Sequence, residues 1–201
     1  LHAPEPLTEL RMFDGRPQPE SIGYSMAKKM LIVQEEVYRK QHDFLSTVII
    51  PSNIYGKYDN FSLSESHVVP ALVRKFYEAK CGISDGVIVW GNGSASRDFI
   101  DAYDVGIAIA KCIKSKVSGV YNVGYGEQQS ISTIAKYLSV ISGVGNIHYD
   151  ETMPSGQNSR EFSVEKFTNQ FPDFECRNIM KGLEETYNWF SDNYRSGKVR
   201  L

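Results

Sequence analysis

The sequence is poor in the residues that mark specialised scaffolds. Its 201 residues include three Cys, two Trp, 8 Pro and 16 Gly. Cys81, Cys112 and Cys176 lie far apart and form no CxxC pair, which excludes a disulfide framework and a zinc ribbon. They read as reduced thiols of a cytoplasmic protein. So little Gly and Pro excludes a collagen-like or low-complexity chain. Charge of neither sign is in excess: 22 Lys+Arg against 24 Asp+Glu give a net charge of −2. That balance speaks against a nucleic-acid partner held through a broad basic face. No apolar run approaches the roughly 20 residues needed to span a bilayer, so no membrane association is expected. The longest, Thr47–Pro51, is strand length. The opening Leu1-His2-Ala3-Pro4-Glu5-Pro6 has neither the basic region nor the apolar core of a signal peptide. It also lacks an initiator Met, and an upstream part of the natural protein is expected.

What remains is an ordinary globular composition, 41% hydrophobic and 23% charged. Residues 1–21 are proline-rich and read as an extended loop. From Ile22 to about His42, Ala27, Met30, Leu31, Val33, Val37 and Tyr38 recur at helical spacing. Phe44 to Pro51 predicts a strand buried on both faces, and Ser52 to Ser66 a loop. Helices are predicted over Val69–Cys81, Val105–Ile113, Ile131–Ile141 (capped by Ser130 or Ser132) and about Asn178–Tyr194. Strands are predicted at Val87–Trp90, Phe99–Ile100, Val120–Val123 and Ile147–Tyr149. Strands alternating with helices indicate an α/β fold.

Tyr24-Ser25-Met26-Ala27-Lys28 is the first chemical candidate. Four residues apart on a helix, phenol and ammonium share one face. A cation beside a phenol favours the phenolate, which makes the group a usable proton donor near neutrality. The spacing alone is weak evidence. A second pair, Tyr194 and Lys198, arises by chance across Gly197, and a surface helix pair is the plain alternative for the first. Context adds weight. Polar residues Ser52-Asn53 emerge where a predicted strand ends, and open α/β sheets bind ligands at the carboxyl ends of their strands.

Downstream come Ser66-His67-Val68-Val69-Pro70, Trp90-Gly91-Asn92-Gly93, Arg97-Asp98-Phe99-Ile100-Asp101 and Tyr121-Asn122-Val123-Gly124. In order and spacing these resemble the later half of the extended short-chain dehydrogenase/reductase family. Asp59-Asn60-Phe61, Ser66-His67-Val68, Val89-Trp90-Gly91 and the stretch Trp189 to Tyr194 are similar to its epimerase–reductase branch, which acts on GDP-linked 4-keto sugars. The resemblance covers nearly the whole chain. It implies the carboxyl-terminal part of a Rossmann-type NAD(P)-binding domain plus a small α/β substrate-binding domain. Residues 1–60 would be the Rossmann remnant. Residues 61–201 would be mainly the substrate domain, with some segments returning to the first.

The resemblance also implies roles. Tyr24 would protonate the sugar O4 during hydride transfer, Lys28 would bind the nicotinamide ribose, and His67 would be the epimerisation acid. Tyr24, Lys28, Pro51, Asn53 and His67 would line the NADP(H) site. Asn53, Lys75, Trp90, Arg97 and Arg160 would hold the GDP-sugar, and the protein would be a homodimer paired through the Tyr24 helix, whose apolar stripe includes Met26, Met30, Val33 and Val37. No metal is implied. Two departures stand out. Arg160 replaces a Lys, and a guanidinium is not equivalent to an ammonium. Ser155 replaces the Asp of an Asp-Gly turn. No G-x-G-x-x-G dinucleotide fingerprint lies between a strand and a helix anywhere in the chain. The family's fingerprint, catalytic Ser/Thr and base Cys would precede Leu1, so the isolated chain is expected to be catalytically incomplete.

Each candidate has a plainer reading. His67 can be a satisfied loop residue, Trp90 core, Arg97 a surface partner of Asp98 or Asp101, and Asn53 a turn cap. Cys81 and Cys112 are expected to pack inside. His2, His42 and His148 are left structural. At the level of activity the alternatives are a reductase without epimerase function, another NAD(P)-dependent GDP-sugar epimerase or dehydratase, and a non-catalytic nucleotide-sugar-binding module. The last would tolerate loss of Tyr24 or Lys28, and both are present.

Overall fold

The computed structural model describes residues 5–153 and 159–201. His2 and Ser155 lie outside them. The fold is mixed α/β. Helix α1 (Ile22–His42) leads into strands β1 (Thr47–Pro51) and β2 (Asn53–Tyr55), then α2 (Val68–Lys80), β3 (Val87–Trp90) and β4 (Ser96–Asp101). There follow α3 (Ala102–Ser115), β5 (Gly119–Val123), β6 (Gln128–Ser130), α4 (Ile131–Ser142), β7 (Ile147–Asp150), α5 (Glu165–Gln170) and α6 (Ile179–Asn193). The strands form three small sheets. β1 pairs with β5 in parallel and β3 with β7 in parallel, while β4 sits between parallel β2 and antiparallel β6.

Local sequence explains the helices. Val69, Leu72, Val73 and Phe76 recur at helical spacing and are all buried, which fixes the inner face of α2. Burying each such side chain contributes about 1.5–3 kcal/mol before entropy is counted. The Ser130 hydroxyl accepts the Thr133 N–H at 3.0 Å and starts α4; Gly143, at φ 74°, ends it. Asn178 caps α6 by accepting from Met180 and Lys181. Helices α2, α4 and α6 then share one apolar cluster with β3, centred on Phe61, Phe76, Leu138, Leu183 and Phe190. A second cluster joins α3, β5 and the aromatic trio Phe167, Phe171 and Phe174.

Several expectations need correction. The strand expected over Phe44–Pro51 begins at Thr47, and Phe44 and Leu45 are exposed. β1 is only half-buried and pairs with β5 alone, so its β-branched run reflects strand propensity more than burial on two faces. The loop expected over 52–66 contains β2, which three residues are too few to reveal by alternation. β6 and α5 lie outside the predicted elements, for the same reason of length. Cys112 is buried as expected, but Cys81 is exposed just past the end of α2. Tyr194 and Lys198 share no helix. α6 ends at Asn193, and the Tyr194 hydroxyl bonds to Glu78 at 3.1 Å.

Candidate active site

A cleft of about 1550 Å³ opens where β1, β2 and β4 meet α1 and the start of α2. It gathers the nine residues to which the sequence and its family resemblance give a catalytic, cofactor-binding or substrate-binding role. Tyr24 and Lys28 enter from α1, and Pro51 and Asn53 from the strand ends. His67 and Lys75 come from the start and middle of α2, Trp90 from the end of β3, Arg97 from β4, and Arg160 from the segment before α5. β1 runs parallel to β5 and delivers Pro51 and Ser52 to the cleft at its carboxyl end, where open α/β sheets present ligands.

Tyr24 and Lys28 are exposed on the cleft side of α1, with the Lys28 ammonium 5.5 Å from the centre of the Tyr24 ring. The helical spacing therefore does bring cation and phenol together. His67 is the N-cap residue of α2, yet its side chain makes no capping bond and is exposed to the cleft. Asp59, on the loop after β2, also lines the cleft. Burial raises its carboxyl above the usual range, opposed in smaller measure by the Asn60 N–H and by His67.

The other side of the cleft is cationic. Burial pulls the Arg97 guanidinium below its ordinary value, and repulsion from Arg160 adds to this. Two cations that disfavour each other across a cleft are relieved by an anion between them. Arg97 Nη1 donates to the Ser96 carbonyl at 2.6 Å. Asp98 and Asp101, the surface partners considered for it, are otherwise engaged. Asp98 accepts from Ser52, and Asp101 faces Arg177. Lys75 donates to the Ile88 carbonyl at 2.7 Å and lies 5.3 Å from the centre of the Trp90 ring. Burial lowers the Lys75 ammonium below its ordinary value. Trp90 is 47% exposed, so it is a wall of the cleft and not core. Asn53 Nδ2 donates to the Asp98 carbonyl at 2.8 Å, which orients the amide instead of capping a turn.

Ser52 lines the cleft, as its place at a strand end suggests, and so do Asp59 and Asp98, to which the sequence gives no site role. Asp98 is buried, and a charged residue at mid-strand beside Arg97 was a legible sign that its carboxylate must find partners inside.

Comparison with known proteins gives this cleft a context. A rice protein named probable GDP-L-fucose synthase 1 (Oryza sativa subsp. japonica) is 34% identical over 98% of this chain and 60% of its own length. The GDP-L-fucose synthase of Escherichia coli K12 is 29% identical over 95% of this chain and 63% of its own. The chain thus spans about three fifths of the length of these curated relatives. Among solved structures, a Naegleria fowleri GDP-L-fucose synthetase bound to NADP superposes with a TM-score of 0.91 at 26% identity, covering 98% of this chain and 64% of that one. Residues 4–124, more than half of the sequence, match the NAD dependent epimerase/dehydratase family. The chain belongs to the NAD dependent epimerase/dehydratase family.

Proposed function

We propose that this chain carries the substrate-side chemistry of NADPH-dependent GDP-L-fucose synthesis, in which GDP-4-keto-6-deoxy-D-mannose is epimerised and then reduced. One observation carries the reading: Tyr24 with Lys28 beside it, the exposed His67 and the two arginines Arg97 and Arg160 all line a single cleft. Likeness to proteins named GDP-L-fucose synthase supports the choice of sugar nucleotide. His67 in the same cleft favours the bifunctional enzyme over a reductase alone.

The residues present fit the nicotinamide-ribose end of a dinucleotide. Lys28 offers an ammonium for ribose hydroxyls, and Pro51 and Asn53 border it with one apolar and one polar group. The 201 residues hold no G-x-G-x-x-G, so no residue of this chain is assigned to the pyrophosphate. NADPH, when bound, supplies the hydride for C4. Tyr24 gives its phenolic proton to the oxygen of the 4-keto group, and the Lys28 cation stabilises the phenolate left behind. The same keto group acidifies the C3 and C5 protons; once a base has taken such a proton, His67 returns one to the opposite face of that carbon and inverts it. Arg97 and Arg160 neutralise the diphosphate, Lys75 adds a third positive charge, and Trp90 packs against the nucleotide or sugar.

The domain division at about residue 60 belongs to this reading, with β5 returning to pair with β1. So does the cytoplasm as the site of action, where three unpaired cysteines would stay reduced. No helix among the described residues is long and apolar enough to cross a membrane. The test is Tyr24→Phe, made in the intact enzyme with its dinucleotide-binding segment present. Reduction of GDP-4-keto-6-deoxy-D-mannose should fall about 10²–10⁴-fold while affinity for the GDP-sugar changes little. Reduction at the wild-type rate would remove Tyr24 from the mechanism. A non-catalytic binding module would show no turnover to lose.

A further inference from the structure

Asp98 sits in the middle of β4, only 3% exposed, and its carboxylate accepts from three donors in the segments that follow β1 and β5. The Ser52 hydroxyl donates to Oδ1 at 2.6 Å and the Tyr125 N–H to the same oxygen at 2.8 Å; the Gly126 N–H donates to Oδ2 at 2.7 Å. Gly124 leaves the room for this. A Cβ there would lie 2.9 Å from both carboxylate oxygens. The Asp98 backbone is used as well, since its carbonyl accepts from Asn53 Nδ2 at 2.8 Å. A buried anion with three donors is held far more rigidly than a neutral side chain would be, because each charge-assisted bond is strong and loss of any one leaves the charge poorly solvated.

The carboxylate sits where the chain passes from one sheet into another. Ser52 lies between β1 and β2 and residues 124–126 between β5 and β6, so both segments lead from the β1–β5 pair into strands that flank β4. Arg97, the preceding residue, alternates to the opposite face of the strand and lines the cleft, which Asp98 also borders. We propose that Asp98 is the positioning residue of the anion site: by clamping the ends of β1 and β5 to β4 it fixes the backbone from which Arg97 reaches a bound diphosphate, and it holds Asn53 beside it. The inference rests on the reading of this cleft as a sugar-nucleotide site and deepens it.

The clamp predicts that Asp98 acts through Arg97. Asp98→Asn keeps the shape but turns an amide N–H₂ toward backbone or hydroxyl donors. Titration calorimetry of the full chain with inorganic pyrophosphate and with GDP should show about tenfold weaker binding of both. Arg97→Lys should weaken both by a similar factor. The double variant should be no weaker than the poorer single, because neighbours that work as a unit are not additive. Ser52→Ala should lose affinity in the same direction, and Ser52→Thr, which keeps the hydroxyl, should restore it. That rescue is not expected of a change in general stability, and it keeps the test open if Asp98→Asn folds poorly. Affinity within twofold of wild type in both Asp98→Asn and Ser52→Ala, or additive losses in the double variant, would overturn the clamp. Wild type that binds pyrophosphate but not GDP would contradict the guanosine reading while leaving the clamp to be judged on pyrophosphate. Wild type that binds neither would overturn both.

Discussion

Asp59 shows how a single residue trades stability for a place in the cleft. Burial penalises its carboxylate, and the Asn60 N–H and His67 offset this only in part. The sign follows from proton linkage. A carboxyl whose folded pKa lies above its unfolded value keeps its proton over a range where the unfolded chain has lost it. The native state then binds more protons, and stability falls as pH rises from the ordinary value of 3.8 through the raised one. Asp59→Asn removes that loss. Urea unfolding between pH 4 and 7 should show a variant more stable than wild type at neutral pH, with a flatter profile across the window. Equal pH slopes in the two proteins would show that Asp59 is not the group responsible. Cys176 lies in a different setting: burial, with Asp104 and Asp98 nearby, pushes its thiol up to about 12. It is therefore protonated at neutral pH, in keeping with its weak bond to the Gly124 carbonyl at 3.4 Å.

Elements differed in how much of them the sequence disclosed. α2, α4 and α6 were legible because each carries an apolar stripe of three or more turns, and Ser130 and Asn178 mark two of the starts. β3 was legible as a short apolar run whose inner members, Val87 and Val89, are buried. β2 and β6, three residues each, were not, since their pairing with β4 is a tertiary event that leaves no periodicity. The same division holds for the cleft. Tyr24 and Lys28 share one helix, so their spacing could be read directly. The meeting of Arg97 with Arg160, or of Ser52 with Asp98, depends on residues 46 or more apart and could be reached only by resemblance or structure. Gly182 on α6 is another tertiary requirement hidden in a helix. A Cβ at that position would run into the Tyr55 hydroxyl and lie 3.0 Å from Asp101 Oδ2. Gly182→Ala should therefore destabilise the protein by about 1–3 kcal/mol through overpacking, despite the better helix propensity of Ala. A melting temperature at or above wild type would show that Tyr55 yields without cost.

On the scale of the whole molecule, α1 is the element least satisfied by its own chain. Glu35 is its one buried residue, and Met26, Met30, Val33 and Val37 form an exposed stripe on the face turned away from β1. A stripe of this kind suits pairing with a second copy across a two-fold axis, the homodimer expected from the family resemblance. The other occupant would be further polypeptide of the same protein. Light scattering should report a dimer at micromolar concentration, and Met30→Glu should convert it to monomer by burying an unpaired charge. A monomeric wild type would exclude the pairing.

The cleft itself remains the centre of the account, because Tyr24, Lys28, His67 and the two arginines have a common task only if a sugar nucleotide lies among them. Calorimetric titration with a GDP-sugar, wild type beside Arg97→Ala, tests this most directly. The prediction is saturable binding that weakens about 10–100-fold in the variant, the value of one charge-assisted hydrogen bond to the diphosphate. No binding to the wild type, or equal affinity in Arg97→Ala, would contradict it.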